Sequence, residues 1–245
     1  MTGINPVTRH DALFHALVLH RRDYANTSLL LDVFGIGQGR FPAIAKGARR
    51  PRHPASALLQ PFQPLWLAVV GRGEVRTLTR CEGASRPLAL QGRALLAGFY
   101  LNELLVRLLA RYDPHDRLFV FYQDTLSRLA DGAELETLLR QFELRLLGEL
   151  GYAPTLDHEA AGQIPVVTEQ FYLYDTERGL RRAAAVETNA LSGATLLALI
   201  QGDSLDSTQR REARFLLRGM LAPYLGDRPL HSRELYKRWY GTHNL

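Results

Sequence analysis

The chain has 245 residues, 46% of them hydrophobic, and a formal net charge of +5 with a single cysteine, Cys81. That is enough chain to bury a sizeable core and to form two domains, and one cysteine excludes an intrachain disulfide or a multi-cysteine zinc site. No apolar run reaches the roughly 18 residues a membrane span needs. The start, MTGINPVTRHD, lacks the apolar stretch of a secretory signal, so a cytoplasmic protein is expected.

The charge is unevenly spread. Residues 1–80 hold 11 Lys/Arg against Asp11, Asp23, Asp32 and Glu74, a net of +7, whereas the remaining 165 residues hold 19 against 21, a net of −2. Such a split suggests a polyanion-binding module joined to an ordinary globular one.

In chain order, ALVLH (16–20) and SLLLDVF (28–34) read as strands joined by a polar turn. GIGQGR (35–40) leads into a third extended piece, FPAIAKG. A fourth strand follows Pro61 and Pro64 in LQPFQPLWLAVVG (59–71), and Gly71-Arg72-Gly73 marks a hairpin connection. EVRTLTRCEG (74–83) alternates, with Arg76, Leu78 and Arg80 on one side and Val75, Thr77 and Thr79 on the other. Five short strands with glycine corners in about 80 residues fit a small closed barrel.

Between the third and fourth strands, Lys46, Arg49, Arg50 and Arg52 place four fixed positive charges in seven residues, with His53 beside them. Pro51 and Pro54 exclude a helix across the stretch. The neighbouring sequence offers these cations no obvious acidic partners. A sugar–phosphate chain would relieve their repulsion and release counterions. Barrels of the oligonucleotide-binding type set such loops beside a groove where aromatics stack bases, which makes Phe41, Phe62 and Trp66 candidate stackers, although strand aromatics commonly face the core. The competing reading is a solvated surface that serves solubility, but Arg40, Arg72, Arg76 and Arg80 enlarge the same basic module.

From about residue 88 the apolar period becomes helical. A wide apolar arc over 92–110 marks a central helix, and a second helix covers 115–130. A third carries the stripe Leu135, Leu138, Leu139, Phe142, Leu146 and Leu150, with Asp131 and Glu134 as its capping box and Gly151 as its left-handed end. Residues 152–186 read as loop with one strand-like run, FYLYD (171–175), and a turn at Glu177–Gly179. Helices over 190–201 and 207–225 follow, the latter with Phe215, Leu216, Met220, Leu221 and Tyr224 on its apolar side, and a last helix begins at the cap candidate Ser232.

Signs of catalysis are missing. Gly35-Ile-Gly37-Gln-Gly39 runs on into extended chain, not a helix, and no P-loop lysine occurs. His158-Glu159 has no second histidine at protease spacing, no Gly-x-Ser-x-Gly elbow exists, and Cys81 sits in a strand as a core thiol would. The expectation is a binding protein that is not an enzyme and has no cofactor.

Six runs in order, VLHRRDYANTSLLLDVF, AIAKGARR, LQPFQPLWLAVVGRGEVRTL, FYLNELLVRLL (99–109), RQFELRLLGELGY (140–152) and APYLGDRPLHSRELYKRW (222–239), resemble the RecO family of recombination mediators. The resemblance implies an α+β, multidomain chain: an OB-fold β-barrel over 1–82, then an all-helical domain over 83–245 with a small irregular insertion at 152–186. It implies binding of single- and double-stranded DNA, annealing of complementary strands, and help for RecA, together with RecR, in replacing the single-strand-binding protein SSB on gapped DNA near the nucleoid. The family's basic barrel surface maps onto Arg40, Lys46, Arg49, Arg50 and Arg52, with Arg72 and Arg76 at its margin. Its dock for the acidic, Phe-ending SSB tail maps onto Arg140, where a helix-borne arginine beside an apolar stripe would meet the tail carboxylates; a solvent-facing arginine without a partner is the alternative. Some relatives carry a four-cysteine zinc site in the insertion. Residues 152–186 have no cysteine, so no zinc is expected, and Ile164, Phe171 and Tyr174 are expected to hold the segment by packing. The competing function is that of an RNA-binding OB-fold accessory protein; a hydrolase with an unrecognised site is a third reading.

Overall fold

The computed structural model describes residues 12–184 and 187–241. Five strands, β1 (Phe14–Tyr24), β2 (Ser28–Gly35), β3 (Gly39–Ala45), β4 (Leu65–Val70) and β5 (Arg76–Gly83), close into a barrel in the order β1-β2-β3-β5-β4. Neighbours are antiparallel except β3 and β5, which run parallel where Ala43 meets Arg76 and Ile44 meets Thr77. Alternate side chains point inward, so Val18, Leu31, Val33, Phe41, Ala43, Leu65 and Leu67 fill the interior.

Two bulges decide which residues face where. In β1 the register slips between Val18 and His20, which releases Leu19 from the ladder. Its carbonyl accepts a hydrogen bond from Asn102 Nδ2 at 2.8 Å, and Asn102 Oδ1 in turn accepts from the Tyr122 hydroxyl. Burial raises the Tyr122 phenol above its ordinary pKa, so it stays a donor. In β5, Leu78 pairs with Val69 and Arg80 with Ala68, leaving Thr79 extra. Leu78 and Cys81, three apart, therefore both pack on the core. The expected alternation, with Leu78 and Arg80 on one side, breaks at Thr79.

The proline-rich loop contains one helical turn, α1 (Ala55–Leu58), starting directly after Pro54. The prolines exclude helix upstream, but the fixed φ of Pro54 suits a helix start. Helices α2 (Gly92–Leu108) and α3 (Asp116–Ala130) cover the outer side of β1 and β2, where Leu17, Leu19 and Phe34 are buried and Phe34 meets Phe119 edge-on at 5.3 Å. Two glycines permit this packing. A Cβ on Gly39, which has φ +66°, would lie 2.2 Å from the Asp113 carbonyl oxygen, and one on Gly98 would lie 2.9 Å from the Phe62 ring. Because α2 and α3 pack on the barrel, the chain divides into compact units at Ala130/Asp131.

The second unit contains α4 (Leu135–Glu149), β6 (Phe171–Asp175), β7 (Gly179–Ala183), β8 (Leu191–Ser192), α5 (Gly193–Gln201), α6 (Ser207–Leu225) and α7 (His231–Tyr240). The strands form a sheet in the order β7-β6-β8, so the segment read as mostly loop is a small sheet. Its buried anchors are Leu156, Val166, Tyr172 and Leu180, whereas Ile164 is exposed and Phe171 and Tyr174 are only half-buried. Glu134, not Asp131, caps α4 by accepting from the Glu136 and Thr137 amides, and Gly151 takes the left-handed φ of +83°. In α6 the buried side is Ala213, Leu216, Leu217, Met220 and Leu221, while Phe215 and Tyr224 are exposed. Ser232 lies buried inside α7, which is preceded by Leu230.

Among the described residues no helix is long and apolar enough to cross a membrane, and no three His, Cys, Asp or Glu side chains gather as metal ligands do. In the insertion His158 pairs with Asp157 and Glu159 with Arg182.

Candidate nucleic-acid interface

The basic loop is a built structure. Ala48 is fully buried in the barrel core and fastens the loop over one end of the barrel. The Arg49 amide donates to the Thr27 carbonyl at 2.8 Å, and its guanidinium donates to the Ala25 carbonyl at 3.2 Å and pairs with Asp23 at 2.9 Å. Turn hydrogen bonds from Arg50 N to Gly47 O and from His53 N to Arg50 O keep the chain tight, and Arg52 takes a left-handed φ of +61°. The loop after β3 is thereby stitched to the β1–β2 turn. The neighbouring sequence offers Arg49 no acidic partner, but Asp23, distant in sequence, supplies one, and Arg49 acts mainly as the stitch.

Lys46, Arg50 and Arg52 are exposed, and none has an ion pair or side-chain hydrogen bond among the described residues. Residues paired across a sheet share a face. Arg22 pairs with Leu30, and Leu30 with Ile44, so Arg22 stands on the outer face of β1–β2–β3, beside the end of β3 that runs into Lys46. Arg22 is exposed and has no charge partner among the described residues. The sequence reading missed it, because the bulge at Leu19 sets its side. Four cations with no charge partner among the described residues thus gather at one end of the barrel, where they create a positive potential.

The remaining expected cations are placed elsewhere. Arg40 is 11% exposed; it pairs with Asp32 at 3.1 Å and donates twice to the Leu109 carbonyl, at 3.1 and 3.0 Å. Burial pulls its pKa down while Asp32 holds it up, so it is a charged tie between the barrel and the end of α2. Arg76 pairs across β3 with inward-facing Ala43; its guanidinium lies 4.9 Å from the Phe41 ring and 4.8 Å from the Tyr112 ring and donates to the Gln38 side chain. Arg72 is exposed on the β4–β5 turn and lines a cleft of 610 Å³ with Phe14, Gln38, Glu74, Arg76 and Tyr112. That cleft lies at the opposite end of β3 from the basic loop. Of the candidate stackers, Phe41 and Phe62 are core and Trp66 is exposed, packed beside His15 at 5.2 Å.

Arg140 lies in the interior of the second unit. Its Nη2 meets Glu143 Oε1 at 2.8 Å, with side-chain exposures of 3% and 0%. It is thus not a solvent-facing arginine, because α4 turns this position toward its own core. Its Nε and Nη1 have no hydrogen-bond partner among the described residues, an unusual state for buried donors.

Two family models cover the chain: Recombination protein O N terminal matches residues 11–86 and Recombination protein O C terminal matches residues 89–234. The chain belongs to the RecO family. It is 48% identical over 227 residues to the DNA repair protein RecO of Nitrosospira multiformis, covering 91% of this chain and 94% of that one. To the RecO of Methylococcus capsulatus it is 47% identical over 225 residues (92% and 93% covered), and to that of Coxiella burnetii 42% over 230 residues (94% and 99%). This RecO-family chain is a DNA repair protein, and the barrel that carries its exposed cations lies within the N-terminal family match.

Proposed function

We propose that this RecO-family protein is a DNA-binding recombination mediator. It holds single- and double-stranded DNA by their phosphates, anneals complementary strands and, together with RecR, helps RecA replace SSB on gapped DNA at the nucleoid. The observation that carries the reading is the cluster of unpaired cations Arg22, Lys46, Arg50 and Arg52 on a stitched loop and its adjoining barrel face, with Arg49 half-engaged and Arg72 a second, separate contact. Annealing requires sequence-blind contact that leaves base edges free, and point charges on phosphates meet that requirement. Arg40 and Arg76 support the barrel that presents the cluster.

The second unit is proposed to recruit the complex through the SSB tail. Arg140 serves in this role only if a tail carboxylate reaches its two unsatisfied donors, Nε and Nη1. The deciding experiment is annealing of complementary oligonucleotides coated with SSB, without ATP. Wild-type protein is expected to accelerate it, and the Lys46→Ala/Arg50→Ala/Arg52→Ala variant to lose the acceleration. Equal annealing by both would sink the proposal.

A further inference from the structure

We infer that Tyr24 is a stacking platform for an unpaired nucleobase, so that the basic face reads single-strandedness as well as charge. The inference rests on the DNA-binding reading above.

Tyr24 ends β1 and pairs with Ser28 across a turn in which Ala25 takes a left-handed φ of +48°. It therefore stands on the same outer face as Arg22, two residues earlier. The turn it belongs to is the one held by Arg49 through Thr27 and Ala25, so the ring sits beside the basic loop on fastened backbone. It is 46% exposed, and its hydroxyl has no hydrogen bond and its ring no aromatic neighbour among the described residues.

The other aromatics of the barrel do not offer this. Phe34, Phe41 and Phe62 are buried. Trp66 is 42% exposed, but it stands opposite His15, nine positions from Tyr24 along β1, or roughly 30 Å of strand. Phe14 is half-buried against Phe41, so among the described Phe, Tyr and Trp residues of the barrel Tyr24 is the one that joins an open ring to Arg22, Lys46, Arg50 and Arg52.

A ring flanked by phosphate-binding cations takes a base whose own stacking partner is missing. Duplex bases are already stacked on one another, so they gain nothing from it. Every base has a π-face, so the contact is indifferent to sequence, in keeping with annealing.

The test compares wild type, Tyr24→Ala and Tyr24→Phe on a single-stranded oligonucleotide, an abasic chain of the same length and a duplex. Tyr24→Ala is expected to weaken the base-bearing single strand by roughly 5- to 150-fold, leaving the abasic chain, the duplex and the salt slope unchanged, and Tyr24→Phe is expected to retain wild-type binding. Equal binding by Tyr24→Ala and wild type, or an equal loss on base-bearing and abasic chains, overturns the stacking site. Running the Lys46→Ala/Arg50→Ala/Arg52→Ala variant in parallel separates the two ideas. If its salt slope flattens while Tyr24→Ala changes nothing, only the stacking fails; if neither variant changes binding, the loop reading fails with it.

Discussion

Changing Lys46, Arg50 and Arg52 together to alanine removes three exposed cations that contact no carboxylate among the described residues. The folding cost should be small, within about 0.5 kcal/mol per site. The binding cost should be large and salt-dependent. Each lost phosphate contact removes about 0.9 from the slope of log K against log salt for duplex DNA and about 0.7 for a single strand. The triple change therefore lowers the slope by about 2.7 or 2.1, and its disadvantage shrinks roughly 20- to 40-fold between about 50 and 200 mM salt. Fluorescence-anisotropy titrations at several salt concentrations read this directly. Arg40→Ala is the contrast. It loses the Asp32 pair and both bonds to the Leu109 carbonyl, so it should destabilise by about 1.5–3 kcal/mol while keeping the wild-type salt slope. An unchanged slope in the triple variant, or an equally flattened one in Arg40→Ala, would refute the assignment of DNA contact to the loop.

Arg140→Ala breaks the buried pair with Glu143 and should cost about 3–5 kcal/mol in a urea titration, whereas Arg140→Met/Glu143→Leu removes both charges and should cost less than Arg140→Ala. That double variant should lose SSB-tail binding in a peptide titration while binding naked DNA normally; full tail binding would remove Arg140 from recruitment. Asn102→Ala strips the buried Leu19 carbonyl of its donor and should lower stability by about 1–3 kcal/mol, with the DNA salt slope unchanged. At Glu134 burial alone would raise the pKa, but hydrogen bonds from the Thr137 and Glu136 amides and the Arg210 side chain outweigh it and hold the carboxylate below its ordinary value. Its stabilisation is thus present above the ordinary carboxylate pKa and lost as pH falls through the lowered one. Denaturation midpoints of wild type and Glu134→Gln should converge in acid; a gap independent of pH would contradict this.

The barrel strands and the longer helices were legible because their signals are local, whereas β7 and β8 were not, since their pairing to β6 joins segments apart in sequence. Alternation in SLLLDVF, glycines at the corners and the 3.6-residue stripe of α4 each need only neighbouring residues. The errors came where one residue or one distant partner resets a face. The extra Thr79 places Leu78 and Cys81 on the core together, and β6 buries Tyr172 fully while Phe171 and Tyr174 stay half-buried. The candidate site divided in the same way. Lys46, Arg50 and Arg52 could be chosen from charge density alone. Arg40, Arg49 and Arg140 could not be sorted, because Asp32, Asp23 and Glu143 become partners only through strand pairing, a stitched turn and a helix face.

The sequence by itself determined that a basic, strand-rich first third precedes a helical remainder, since composition and periodicity are properties of contiguous residues. Only the tertiary structure decided which arginines remain free for a ligand, and that Tyr24 stands with Arg22 beside the loop. Burial and ion pairing depend on side chains brought together from distant positions, and a guanidinium already bound to a carboxylate has little left to offer a phosphate.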